Sequence, residues 1–305
     1  MISSRRKGLQ VALSALVLVG VGVYLGWQLA AQWGAISHYR WQVNSWLLAA
    51  SVACAGGWYL CRALLWQMIL GALGCRLPFR LAFRTWVLSE LGRYLPGKVW
   101  YVAGRAYLCA GAGVPAGASL TGMGMELALV AATASGLGLL RLGAARSLVG
   151  GWLWPGVAGL GLLVALTHPR LLRPAANLVL ARLHRDPLPP ETRYSYPGLL
   201  GVCLLMWAFL AAGFFLFARA VAGVAWGQFL AVASSFAAAW VLALVVVVSP
   251  GGMGVREGVL AAMLAPVVPA GVALPLALLS RLWITAVELA CALVALRIRP
   301  PAARK

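Results

Sequence analysis

The segment Ser249-Pro250-Gly251-Gly252-Met253-Gly254-Val255-Arg256-Glu257 interrupts a highly apolar stretch of the chain, and Leu91-Gly92-Arg93-Tyr94-Leu95-Pro96-Gly97-Lys98 interrupts another. Proline stops a helix because it lacks an N–H and its ring clashes with the preceding turn, and glycine lets backbones approach closely. In hydrocarbon an uncovered helix break leaves N–H and C=O groups without partners, so it is tolerated only where it is buried in protein or lines a watery cavity. Two such breaks, each beside ionisable residues, point to a membrane machine that handles a polar group.

The composition around the breaks is that of a polytopic membrane protein. The 305 residues are 63% hydrophobic and only 10% charged, with a mean hydropathy of +0.90. Apolar windows of roughly 20 residues, enough to cross a bilayer, fall near 10–31, 46–70, 118–140, 148–167, 197–220 and 273–296. The fold class expected is therefore all-α: a single transmembrane domain over 1–305 with six full spans. Two Pro-Gly-broken segments, 79–110 and 227–266, are each either a re-entrant hairpin or a pair of spans.

The net charge of +19 would suggest nucleic acid in a soluble protein, but here the bases gather at the ends of apolar segments, as the positive-inside bias requires. Nucleic acid is excluded as a partner on that ground. Arg5-Arg6-Lys7 precedes an apolar run too long for a signal peptide, so the first span is read as uncleaved with its N-terminus in the cytoplasm. On that map, 15 bases fall on the cytoplasmic side and four, Arg40, Arg141, Arg146 and Arg219, on the other. Both termini are cytoplasmic, and residues 168–196 form a Pro- and Arg-rich cytoplasmic loop. Six cysteines lack metal or redox spacing and three histidines fall in loops, so no metal site, cofactor or catalytic triad is expected.

Residues 1–144 read as span, span, broken segment, span, and residues 145–305 repeat the series. An odd number of crossings per half inverts the second copy relative to the first. Inverted repeats whose broken helices meet near the midplane are a transporter architecture.

Four acids, Glu90, Glu126, Glu257 and Glu288, lie in or beside apolar segments. Each costs roughly 2.5–3.5 kcal/mol at a helix centre, so they require partners or protons. The available bases are Arg62, Arg93, Lys98, Arg105, Arg256 and Arg281. Glu90 and Arg93, three apart, are spaced to pair, and Arg281 and Glu288, seven apart, share a helix face. Six bases against four acids leave a surplus of two positive charges, balanced either by an anionic ligand or by Lys98 or Arg105 reaching the interface. Helices restarting after Pro96-Gly97 or Gly251-Gly252 would present free N–H groups to an anion. Trp100 and Tyr101, just after the first break, are further candidates for ligand contact.

The segments 91–100 and 249–258 resemble the two signatures of the flippase-like transmembrane domain of bacterial lysylphosphatidylglycerol synthases and its stand-alone relatives. The resemblance covers nearly the whole chain. It implies a bacterial cytoplasmic-membrane protein that moves a lipid between leaflets. The chain ends at Lys305 shortly after its last span, so no aminoacyl-transfer domain, and hence no enzyme activity, is expected. The resulting expectation is a flippase for an anionic phospholipid or polyprenyl-phosphate-linked lipid. Arg93, Pro96, Gly97, Lys98, Pro250, Gly251, Gly252, Gly254 and Arg256 would form the headgroup site; Arg62, Glu90, Arg105, Glu126, Glu257, Arg281 and Glu288 would balance charge or carry a proton. The alternatives are a non-catalytic partner of a lipid or glycan biosynthetic enzyme and, with no D-x-x-D cluster or nucleophile–base pair to support it, a membrane-embedded enzyme.

Overall fold

The computed structural model describes residues 43–94, 99–144, 168–182, 187–188, 195–245, 255–268 and 271–299, with the single positions 23, 27, 30 and 33. The described residues are helical, with no strand among them. The elements are α1 (Ser45–Ala72), α2 (Phe79–Glu90), a 3-10 turn (Leu91–Tyr94), α3 (Val99–Ala110), α4 (Ala116–Ala144), α5 (Pro169–Arg182), α6 (Tyr196–Ala222), a second 3-10 turn (Trp226–Gln228), α7 (Phe229–Val245), α8 (Val255–Leu264) and α9 (Ala273–Arg297).

Four helices are long and apolar enough to cross a membrane: Ser45–Ala72, Ala116–Leu137, Tyr196–Ala222 and Ala273–Arg297. They coincide with the spans read at 46–70, 118–140, 197–220 and 273–296. The spans expected at 10–31 and 148–167 lie outside the described residues, apart from isolated helical positions in the first. Apolar side chains such as Trp46, Leu204, Leu230 and Leu293 remain exposed on the helices, as a lipid-facing surface demands.

The long helices are closed by local chemistry. Asn44 Oδ1 accepts from the Leu47 N–H at 3.1 Å to start α1, and Ser195 Oγ accepts from the Gly198 N–H at 3.1 Å to start α6, each satisfying an otherwise orphaned donor. Gly223, at φ +66°, ends α6 in a left-handed turn whose N–H donates to the Arg219 carbonyl, a conformation glycine adopts without strain.

Residues 95–98 and 246–254, which hold the two Pro-Gly pairs, lie outside the described residues; α2 with its 3-10 turn and α3 flank the first, and α7 and α8 flank the second. α2 and α3 have 12 residues each, about 18 Å at 1.5 Å per residue; the hydrocarbon core is about 30 Å thick. α2 buries Ala82, Phe83, Trp86, Val87 and Glu90, a helical spacing that brings the carboxylate to the protein-facing side.

α1 and α6 form the most extensive helix pair. They run antiparallel: the Asn44 N–H donates to the Ala220 carbonyl at 2.9 Å, while Gly198 at the opposite end lies against Met68. Glycines allow this closeness, since a Cβ on Gly213 would stand 3.1 Å from Cys54 Cβ and 3.2 Å from the Ser51 carbonyl oxygen. Gly213→Val should therefore push the helices apart and destabilise the protein by about 1–3 kcal/mol. Gly56→Val, where a Cβ meets nothing within 4 Å, should leave stability nearly unchanged. Thermal unfolding of both variants in detergent checks this; equal midpoints would show that the helix approach carries no energy.

Candidate functional site

Six of the intramembrane charges form one continuous chain, Arg62–Glu126–Arg105–Glu90–Arg93–Glu288. It begins on α1, crosses α4, α3 and α2, passes through the 3-10 turn, and ends on α9. Signs alternate, so three guanidiniums meet three carboxylates and the chain is neutral.

Glu126 is the most fully held acid. Its Oε1 receives Arg62 at 3.0 Å and the Trp86 indole N–H at 2.7 Å, and its Oε2 pairs with Arg105. Arg105 is completely buried. It spans Glu126 and Glu90, donates from Nε to Ser89 Oγ at 2.8 Å, and lies 4.9 Å from the centroids of both Trp66 and Tyr101. A guanidinium so enclosed uses its planar fork for bidentate pairing and its faces for aromatic contact. Arg105 therefore does not reach the interface, and Tyr101 packs against it. Trp100 is exposed.

Glu90 also receives Arg93 at 3.1 Å, the pairing its spacing predicts. Arg93 then crosses to Glu288 of α9, whose Oε2 also accepts the Tyr94 hydroxyl at 2.7 Å; Tyr94 is 3.2 Å from Thr285 Oγ1. Gly92 makes the turn that aims Arg93: a Cβ there would lie 2.8 Å from the Tyr101 backbone nitrogen, so the turn sits directly on the start of α3. The Arg93 side chain is 38% exposed, and it is the most open of the six.

A second group surrounds the other break. Arg281 pairs with Glu257, so although Arg281 and Glu288 share one helix, each takes its partner from a different element. Arg256 makes no ion pair among the described residues. Its guanidinium lies 4.6 Å from the Phe236 ring centroid, within electrostatic reach of Arg281, Glu257, Arg93 and Tyr94. Five described bases against four acids leave one surplus charge, at Arg256; the sixth base, Lys98, lies outside the described residues, as do Pro96, Gly97, Pro250, Gly251, Gly252 and Gly254.

Tyr94, Thr285, Ser89 and Trp86 are part of the site without having been singled out from sequence as site residues. The usable signal was local: Trp86 precedes Glu90 by four residues and Glu90 precedes Arg93 by three, which places them on one helical face.

The sequence matches the family described as the lysylphosphatidylglycerol synthase TM region over residues 9–291. No curated protein matches the chain. Since the match spans most of its length, the chain belongs to this family, and it is a multi-pass membrane protein with a lipid-related function.

Removing one partner from a buried ion pair costs about 3–5 kcal/mol because the other charge is left uncompensated. Arg105→Met strips a cation from two acids at once and should cause at least that loss, seen as a fall in folded, monodisperse protein and in its thermal midpoint. A variant as stable as wild type would mean that Glu90 and Glu126 are neutral in the native protein.

Proposed function

We propose that this member of the lysylphosphatidylglycerol synthase TM-region family is a flippase that moves an anionic lipid across the bacterial cytoplasmic membrane, and that it performs no chemistry on its cargo. The observation that carries this reading is Arg256, a cation without an ion-pair partner among the described residues, placed within electrostatic reach of the partly open Arg93. Two guanidiniums at membrane depth repel each other, and a phosphate between them relieves that repulsion while accepting their hydrogen bonds. Lys98 and the backbone of the Pro-Gly breaks would complete the headgroup site, with the lipid tails left in the bilayer.

Packing supports an inverted repeat divided near residue 144. The contacts α1–α2, α1–α4, α2–α3 and α3–α4 have as counterparts α6–α7, α6–α9, α7–α8 and α8–α9. Between the halves, α2–α9 corresponds to α7–α4 and α1–α9 to α6–α4, while the antiparallel α1–α6 pair corresponds to itself. Rocking of one half on the other would then expose the site to each leaflet in turn. The shortness of α2 and α3 favours a re-entrant hairpin for the first broken segment. The distribution of bases, 15 against four, favours cytoplasmic termini and a cytoplasmic 168–196 connection, which is not the plain loop expected from sequence but carries the helix α5.

One observation favours a different role. The six-membered ion chain is fully paired, which suits a rigid scaffold for a lipid or glycan biosynthetic enzyme. That reading leaves Arg256 without a use.

The test is lipid transport in proteoliposomes with fluorescent phosphatidylglycerol, together with identification of co-purifying lipids. Arg256→Ala and Lys98→Ala should each reduce transport about tenfold or more, the equivalent of 1.4 kcal/mol, and remove enrichment of anionic lipid without loss of folded protein. Bulk lipid composition and unchanged behaviour in both variants would favour the scaffold.

A further inference from the structure

Two buried oxygens at the site have no hydrogen-bond partner among the described residues, Glu288 Oε1 and the Tyr59 hydroxyl. Buried polar atoms are nearly always satisfied by protein or by ordered water, so an orphan beside a charge cluster is a place with capacity for a water or a further group. Both belong to one neighbourhood, because Tyr59 lies within electrostatic reach of Glu288, Arg93, Tyr94 and Glu90. Glu288 is itself wholly buried.

The four acids differ in what they would lose if Arg93 were engaged by a ligand. Glu126 keeps Arg62 and Arg105, Glu90 keeps Arg105, and Glu257 keeps Arg281. Glu288 has Arg93 as its sole ion-pair partner among the described residues. A phosphate arriving at Arg93 would therefore compete with this one carboxylate and leave two anions facing each other in a medium of low dielectric. A proton on Glu288 removes that repulsion.

Resting on the anionic-headgroup reading above, we propose that Glu288 is a proton-binding site exchanged against the headgroup. With the site empty, Glu288 is ionised and held by Arg93. When the phosphate takes Arg93 and Arg256, an O–H bond forms on Glu288 using one proton from water; the Tyr59 hydroxyl, which makes no hydrogen bond with Glu288 in the present arrangement, accepts it once the two side chains move together. Departure of the headgroup returns Arg93 to Glu288 and releases the proton. Every neighbouring element is compatible with this exchange. α1 supplies Tyr59; α2 supplies Glu90; the turn supplies Arg93 and Tyr94; and α8 supplies Arg256 and Glu257, the latter taken by Arg281. On α9 itself Cys291 is the nearby titratable group, and α6 meets α9 through Phe214 and Phe217 against Trp283.

The sign follows from linkage: a ligand that binds together with a proton binds more tightly as pH falls, by up to about tenfold per pH unit. The probe is short-chain phosphatidylglycerol, whose phosphodiester does not titrate near neutral pH, added to the full chain in phosphatidylcholine nanodiscs. Calorimetry in buffers of different ionisation enthalpy counts the protons. Wild type should bind more tightly at lower pH with uptake of about one proton. Glu288→Gln, already neutral, should bind with little pH dependence and no uptake. Tyr59→Phe leaves the ion chain whole and should shift the pH profile to lower values, which keeps the proposal testable if Glu288→Gln does not fold. Arg256-dependent binding without pH dependence, proton uptake that persists in Glu288→Gln, or an unshifted profile in Tyr59→Phe would overturn the exchange and leave the headgroup site standing. No phosphatidylglycerol binding by wild type at any pH would overturn the headgroup reading and this inference with it.

Discussion

Arg105 has no route to water, and a guanidinium in that position is stable only if anions are brought to it. Glu90 at the end of α2 and Glu126 in the middle of α4 meet that need, and Arg62 of α1 neutralises what remains of Glu126. Four helices that share few sequence-local contacts are thereby held in one arrangement. The aromatic faces of Trp66, Trp86 and Tyr101 close around the same guanidinium, so hydrophobic packing and charge compensation fix the same geometry. The 3-10 turn hangs from this assembly, and its position sets where Arg93 points.

The parts of this structure that were legible in the sequence are those governed by solvent. Apolar runs long enough to cross a bilayer identified α1, α4, α6 and α9 within a few residues, whereas the two Pro-Gly pairs lie outside the described residues, between α2 and α3 and between α7 and α8. That Glu90, Glu126, Glu257 and Glu288 need partners also follows from the cost of a charge in hydrocarbon.

Partner choice was not legible, because it is decided between helices. Arg281 and Glu288 share a face, but seven residues separate them by about 10.5 Å along the axis, beyond the reach of a direct pair, whereas packed helices lie about 8–10 Å apart with side chains interdigitated. Arg281 consequently reaches Glu257 on α8, and Glu288 reaches Arg93. Counting charges gave the sign of the surplus but not its place: Arg105, a candidate for the free cation, is the most enclosed of the described bases, and among those Arg256 is the one without an ion pair. Tyr59 and Thr285 leave no trace in the sequence, since a single hydroxyl in an apolar helix carries no periodic signal, and Tyr94 stands inside the first break's motif without any mark of its bond to Glu288.

The ion pairs are unevenly distributed along the chain. Arg62, Glu90, Arg93, Arg105 and Glu126 all lie before residue 144, and Glu257 pairs with Arg281 after it. Among the described residues, Arg93–Glu288 is the single ion pair that joins the two stretches; elsewhere they meet across apolar and glycine-lined helix surfaces such as α1 against α6, with a few uncharged hydrogen bonds such as Trp207 to Thr133 and Trp283 to Ser51. Electrostatic stiffness is therefore concentrated inside each stretch, and only one charged latch resists sliding between them. The cation of that latch is also the most exposed base of the ion chain, so a negative charge that reaches it from outside competes directly for the one ion pair that ties these two stretches together.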